Sequence, residues 1–346
     1  MGRLLGRWLV LGLALAANAQ DPEPALKHPD ACPKECKPCT EAIDKALAWL
    51  AAKQESDGRF KAGNGAEIST TAVAGLAFMA AGSTDKEGKY SRNVARCRDF
   101  LLKAFDDEIA DLYHWNHAFA AIFLSQLGRD KNAIRRLTQK IEQGQLKNGG
   151  WGHGTGVLRE KLKKAKYPES LTAATFFCVA ALVFSQEAGV KVSESTLKNA
   201  LQYLEKATVD GAPGYSLDEM STTRGQAAVR AASILAVARG DPGSWLQSLS
   251  KYARENFGSV VPSEYDPHPY ANYALAALGL YRQGAEAWKR TEAFRGAILK
   301  RQAKDGSWAC PQIVDTAYGG PGFFTASCAL ILALPLEHLP ASRPKK

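Results

Sequence analysis

Apolar positions along this chain fall into two alternating kinds of segment. One kind is apolar on nearly every face: 69–81, 115–127, 170–186, 222–239, 269–282 and 323–334 are rich in Ala, Leu, Val and Phe. The other kind, at 44–52, 94–103, 131–143, 195–206, 244–256 and 286–302, spaces its apolar residues helically and carries the charges. A helix that is apolar all round is buried, whereas an amphipathic one lies between a core and water. Each amphipathic segment precedes an apolar one, so the chain reads as six helical hairpins. Anchors at Thr71, Ala118, Thr172, Thr223, Ala271 and Thr325 recur about every 50 residues. The expected fold is all-α: an (α/α)6 toroid of six hairpins, with an inner ring of apolar helices inside an outer ring of amphipathic ones. An unclosed stack of the same hairpins is the alternative.

Three units share a phrase at the junction between their helices. It appears as Gln54-Glu-Ser-Asp-Gly58-Arg-Phe60, Gln145-Leu-Lys-Asn-Gly149-Gly-Trp151 and Gln302-Ala-Lys-Asp-Gly306-Ser-Trp308. Glycine accepts the left-handed conformation that ends a helix. The aromatic can pack back over the turn while the Gln amide satisfies free backbone groups. One such match is weak evidence; three with helical flanks on both sides are strong.

The phrase and the six hairpins resemble the prenyltransferase and squalene-oxidocyclase repeat, over about residues 41–338. His114-Trp-Asn-His117-Ala-Phe and the stretch from Gln302 to Trp308 look most like exported bacterial members of that superfamily. The resemblance implies a terpenoid cyclase-like toroid with a central cavity. It does not extend to the chemistry. Hopene cyclases carry an Asp-x-Asp-Asp acid and oxidosqualene cyclases an Asp-Cys-Thr-Ala-Glu, and neither string occurs here. Prenyltransferases hold zinc with an Asp-x-Cys pair, which is also missing. Asp106-Asp107-Glu108, the nearest acidic run, reads as a solvated helix end.

The chain start changes the setting. Arg3 and Arg7 precede an apolar run at 8–17, and Ala17-Asn18-Ala19 has the form of a signal-peptidase site. Residues 1–19 are therefore expected to be a secretory signal, 20–40 an extended Cys-containing leader, 41–338 one toroid domain and 339–346 a basic tail. A secreted or periplasmic location follows, with no transmembrane span. The formal charge of +9 favours anionic surfaces or ligands, including envelope surfaces. No recognition module points to nucleic acid. Of seven cysteines, Cys32, Cys36 and Cys39 are closely spaced, and an exported chain is expected to form a disulfide among them that tethers the leader. Cys178 and Cys328 read as buried small apolar residues.

In a toroid the inner helices begin at one mouth, where their free N–H groups and dipoles converge. His114, His117, His268, Tyr270 and Arg224 are the candidates there for acid, base or charge-neutralising work. Tyr113, Asn116, Glu169, Asp266 and Tyr318 are the candidates for ligand contact. His114, His117 and His268 across the ring could form a three-histidine site without an assured second shell, and Cys32, Cys36 and Cys39 have metal-ligand spacing but no fourth ligand nearby, so no metal and no cofactor is assigned. Phe78, Phe119, Phe176, Phe177, Tyr273 and Phe324 would supply aromatic walls or pack against the outer ring. The basic stretch Arg159 to Lys166 would hang near the mouth as a gate, an anion collector or a solvated helix. Three functions stay open. One is a toroid binding a lipid, isoprenoid or anionic ligand without cyclisation. The others are a polysaccharide lyase using a Tyr or His base with an Arg, and a non-catalytic protein-binding toroid.

Overall fold

Six helical hairpins follow one another along the chain. α1 (Lys37–Lys53) pairs with α2 (Glu67–Ala80), and α3 (Ser91–Asp106) with α4 (His114–Leu127). In the third unit α5 (Lys131–Gln143) leads through a short α6 (Gly156–Lys164) to α7 (Thr172–Glu187). α8 (Glu194–Lys206) reaches α9 (Arg224–Val237) through a small hairpin of β1 (Thr208–Val209) and β2 (Ala212–Pro213). α10 (Ser244–Asn256) pairs with α11 (Pro269–Arg282), and α12 (Ala285–Lys289) with α13 (Glu292–Arg301) precede α14 (Gly320–Ala333). The computed structural model describes residues 36–63, 65–106, 113–220, 222–238, 243–260, 269–309 and 320–343.

The ring closes. α2, α4, α7, α9, α11 and α14 each pack on the next, and α14 packs on α2. Outer helices sit in the grooves between consecutive inner ones: α5 lies against both α4 and α7, α1 against both α14 and α2. The inner helices are buried on every side, with Phe78, Phe123, Phe176 and Phe324 wholly inside. Each such ring withdrawn from water contributes about 2–3 kcal/mol. Where α9 crosses α11, a Cβ on Gly279 would overlap the Ala232 carbonyl, so glycine sets how closely the two helices approach.

The shared phrase is a staple between units. Gln54 Nε2 donates to Gly58 O at 2.9 Å and to Asn93 O of α3 at 3.1 Å. Gln145 Nε2 donates to Gly149 O at 2.9 Å and to Thr196 O of α8 at 2.9 Å. Gln302 Nε2 donates to Gly306 O at 3.0 Å and to Ala42 O of α1 at 2.8 Å, which sews the last unit to the first. The aromatic of each phrase donates its backbone N–H to an inner-helix threonine: Phe60 to Thr71 at 3.0 Å, Trp151 to Thr175 at 3.1 Å and Trp308 to Thr325 at 3.1 Å. Gly58, Gly149 and Gly306 have φ of 95°, 91° and 93°. A Cβ at any of them would meet a carbonyl of the next outer helix, on Arg96, Asn199 or Lys45.

Four local features differ from the sequence expectation. α1 starts at Lys37, inside the segment read as extended, because Cys36 caps it and Pro38 suits a first turn. The sixth outer helix is broken between α12 and α13, where the Thr291 hydroxyl donates to Trp288 O at 2.7 Å. The β1–β2 hairpin turns on Asp210 and Gly211, both at positive φ (51° and 80°), the Asp-Gly signal of a tight hairpin. Finally, part of the segment read as a basic tail packs on the ring, with Leu339, Ala341 and Ser342 buried.

Candidate functional site

Ring contacts identify the stripe of α4, α7 and α14 that faces the ring interior. Phe119 of α4 meets Phe323 of α14 edge-on at 5.9 Å, although α2 separates these helices around the ring, so their contact crosses the interior. Phe119 also packs on Phe177 of α7 at 4.9 Å, and Phe177 meets Trp115 at 5.6 Å. Trp115 continues to His153, 5.8 Å away, and its indole N–H donates to His153 Nδ1 at 3.4 Å. Aromatic rings therefore run from the helix N-termini towards the axis. Phe119, Ile122, Phe323 and Leu330 retain 6–7% exposure, while Ala118, Phe123, Cys328 and Ile331 on the same helices have none. That difference follows the helical period and marks an apolar face turned to accessible space.

The far end is floored. Gln126, on the stripe of Phe119 and Ile122, accepts the Ala341 N–H at 2.7 Å. Arg282 donates to Ala341 O at 2.9 Å and to Ala236 O at 2.6 Å. Tyr281 donates to Glu337 at 2.7 Å. The ring is thus floored at the inner-helix C-termini, like a cup, and its apolar stripe runs from there towards their N-termini.

Most candidates read from the sequence sit elsewhere. His114 and His117 lie together, 6.4 Å apart, but both are buried and turned outward. His114 packs over Gly144 at the end of α5, and His117 meets Phe105 of α3 at 5.7 Å. Helix period explains this: 114 and 117 lie on the face opposite Trp115, Phe119 and Ile122. His114 Nδ1 is buried without a hydrogen-bond partner among the described residues. Burial first, then His117 and Arg159, pushes the His114 pKa down to about 3. The ring is therefore neutral and not poised for proton transfer near neutrality. Asn116 is buried and donates to Gly65 O at 3.1 Å, a structural tie. Tyr113 is half-buried and bridges Gly154 through its backbone. Arg224 and Glu169 are exposed, and Glu169 pairs with Arg159 at 2.7 Å, anchoring α6. Of the named wall aromatics, Phe119 and Phe177 face inward, with Phe176 packed on Phe177, while Phe78 and Tyr273 pack outward on Tyr90 and Phe294. Phe323, next to the expected Phe324, completes the wall. His268, Asp266 and Tyr318 lie outside the described residues, and Tyr270 is described only as backbone in the first turn of α11. Among the described residues no three metal-ligating side chains come together.

The sequence reading passed over Arg230. It is buried in α9 and is the one charged residue in the middle of any inner helix. Its guanidinium donates to Thr222 Oγ1 at 2.7 Å and to Pro213 O at 3.4 Å, and lies 5.7 Å over the Tyr215 ring. Burial and Glu219 raise the Tyr215 pKa against the opposing pull of Arg230. A charge in a run of otherwise apolar positions was the signal available for finding it.

The family model described as "Domain of unknown function (DUF6288)" matches residues 40–244. The chain belongs to this family. No curated protein matches it. Solved structures similar to this DUF6288 chain share its fold at low identity. A variant of the type II terpene cyclase MstE from Scytonema, in complex with geranylgeranyl dihydroxybenzoate, is 15% identical with a TM-score of 0.59, covering 87% of this chain and 98% of that one. An inactive variant of the α-1,6-mannanase GH76A of Salegentibacter sp. HEL1_6, in complex with α-1,6-mannotriose, is 12% identical with a TM-score of 0.59, covering 85% and 98%. A UGL variant with dGlcA-Glc-Rha-Glc is 13% identical with a TM-score of 0.54, covering 86% and 96%. The DUF6288 chain therefore has an α/α-toroid fold, one that a terpene cyclase and a mannanase share. No described helix is long and apolar enough to cross a membrane.

Proposed function

We propose that this chain is an exported binding toroid that takes an elongated apolar ligand into its cup and does not cyclise it. The carrying observation is the row of rings from Trp115 through Phe177 and Phe119 to Phe323, which leads from the inner-helix N-termini into the interior. Apolar side chains at the axis favour a ligand that loses hydration on entry. The floor at 334–343 makes the site a dead end and gives the ligand one route of entry and exit. A terpene cyclase on the same scaffold holds an isoprenoid substrate, which is consistent with this reading by analogy of fold. The chain has none of the cyclase acid strings, so geranylgeraniol is expected to bind and be recovered unchanged. Export rests on Arg3, Arg7, the apolar run at 8–17 and Ala17-Asn18-Ala19.

Arg230 beside Tyr215 is the observation favouring a polysaccharide lyase. The raised Tyr215 pKa opposes it, because a base must be available deprotonated. Equilibrium dialysis against geranylgeraniol and against an oligouronate separates the two. Saturable binding of the isoprenoid alone supports the cup. Release of unsaturated uronate, or no isoprenoid binding, overturns it.

A further inference from the structure

Cys36 and Cys39 form a disulfide. It was expected to tether the leader, but both of its ends lie in one helical turn, so it ties no segment to another. A bridge closing three residues also restricts the unfolded chain far less than one closing a long loop. Nor does α1 need it for anchorage. Gln302 holds Ala42 O, the Trp49 indole donates to Asp305 at 3.1 Å, and Ala42 and Ile43 are in the core. A bond that contributes so little to the architecture calls for another role.

Its two sulfurs differ. Cys39 is 2% exposed and belongs to the core, whereas Cys36 is half-buried. Cys36 caps α1, a 17-residue helix, and its Sγ accepts the Cys39 N–H at 3.4 Å. Lys37 follows it and pairs with Glu41 at 3.9 Å, and the first turn itself has no acidic side chain. Backbone N–H groups and the helix dipole favour negative charge on a sulfur at that position. The residues read Cys36-Lys37-Pro38-Cys39, with a half-buried cysteine at the cap and a fully buried one a turn inside. The remaining described cysteines, Cys97, Cys178 and Cys328, are buried, and their burial pushes their thiols upward, the opposite condition.

We infer that Cys36 and Cys39 are a thiol–disulfide exchange pair acting on dithiols or disulfides of other proteins, independently of the ligand cup. An external thiolate attacks Cys36 Sγ, the Cys36–Cys39 bond breaks, and Cys39 leaves as a thiolate that takes a proton from water. The second thiolate of the same external dithiol then attacks its own sulfur in the mixed disulfide and releases the Cys36 thiolate. Two electrons pass from the external dithiol, now a disulfide, to the Cys36–Cys39 pair. The reverse sequence oxidises an external dithiol. Because α1 is held elsewhere, the toroid stays folded in both states.

The full-length chain tests this with dithiothreitol as the reducing probe. The Cys36–Cys39 bond is expected to open in native buffer with helical circular dichroism unchanged, as followed by maleimide tagging and peptide mapping. With glutathione disulfide as probe, the Cys39→Ser variant is expected to form a glutathione adduct at Cys36. The Cys36→Ser variant is expected to modify Cys39 at least about tenfold more slowly, following its burial. Wild type, and not Cys36→Ser, is expected to accelerate reduction of insulin disulfides by dithiothreitol. A bond that opens only in denaturant overturns the proposal. So does equal modification of the two sulfurs, mapping of Cys36 to Cys32 instead, or no acceleration of insulin reduction.

Discussion

Units one, three and six close their seams with a Gln–aromatic staple; units two, four and five do not. The stapled seams repeat one geometry, with the Gln amide bridging its own turn and a carbonyl of the next outer helix. The unstapled seams are individual. Between units two and three His114 fills the space above Gly144, and between five and six Phe257 and Tyr273 pack on Phe294. Unit four holds a worn copy of the staple. Ala207 stands where Gln would be, Asp210-Gly211 is kept, and Pro213 replaces the aromatic. A Cβ on Gly211 would still meet a carbonyl of the next outer helix, on Ser248. The unusual side chains cluster in the unstapled units: the His114–His117 pair in two, and Arg230 with Tyr215 in four. A repeated backbone device fixes the ring at half its seams and leaves the others free to vary.

Glycine at the staples is the sharpest place to break this comparison. Gly149→Ala combines a left-handed φ with overlap on the Asn199 carbonyl, and is expected to cost about 3 kcal/mol or more in urea unfolding. Gly128→Ala, at φ 72° with nothing within 4 Å, is expected to cost about 1 kcal/mol. Equal losses at the two positions would mean that the staple turn is not what fixes the seam. Gln302→Ala, which leaves the Ala42 and Gly306 carbonyls without their donor, is expected to cost about 2–3 kcal/mol and to loosen α1 first in hydrogen exchange.

The unstapled side predicts acid sensitivity. The folded-state pKa of His114 lies near 3 against an ordinary 6.5, so between those values the unfolded chain binds the extra proton. Stability from this group is complete above pH 6.5 and declines as pH falls, by about 2 kcal/mol at about pH 5. His114→Gln should flatten the stability profile by that amount; an unchanged slope would show that another group sets it. The smallest expected effect is a gain. Ala207→Gln would restore the missing donor of unit four, its acceptors being Gly211 O and, by the three-residue offset that separates Asn93, Thr196 and Ala42 from Arg96, Asn199 and Lys45, the carbonyl of Trp245. Thermal unfolding should show it stabilised by up to about 1 kcal/mol. A loss of that size would mean that the turn at Asp210 and Gly211 is not a degenerate staple.

Legibility in the sequence followed the same division. All six inner helices stood out because each is apolar on every face, and ring closure was readable from a phrase shared by the first and last units. Units two, four and five carried only the hydrophobic signal, so their detail was hidden. The Asp210-Gly211 hairpin was a local signal that went unread. The side to which His114 and His117 point depends on helix phase relative to the axis, and no spacing argument fixes that phase without a known inward residue. Phe119 supplies it once its contact with Phe323 is seen. The break at Thr291 depends on one hydroxyl bond and has no periodic trace. Cys36 and Cys39 were legible as candidates for a disulfide, but whether the bond spans one turn or two segments was not.

The central claim is that ligand enters the cup along its inward aromatic face and not through the histidine pair behind it. Geranylgeraniol affinity, measured by equilibrium dialysis for wild type, Phe119→Ala and His117→Phe, tests it most directly. Removing the Phe119 ring is expected to weaken binding by about tenfold or more, since that apolar contact is lost. His117→Phe, on the outward face, is expected to leave affinity within about twofold, because it changes no surface the ligand would touch. Comparable losses in both variants, or no saturable binding in wild type, would contradict the account.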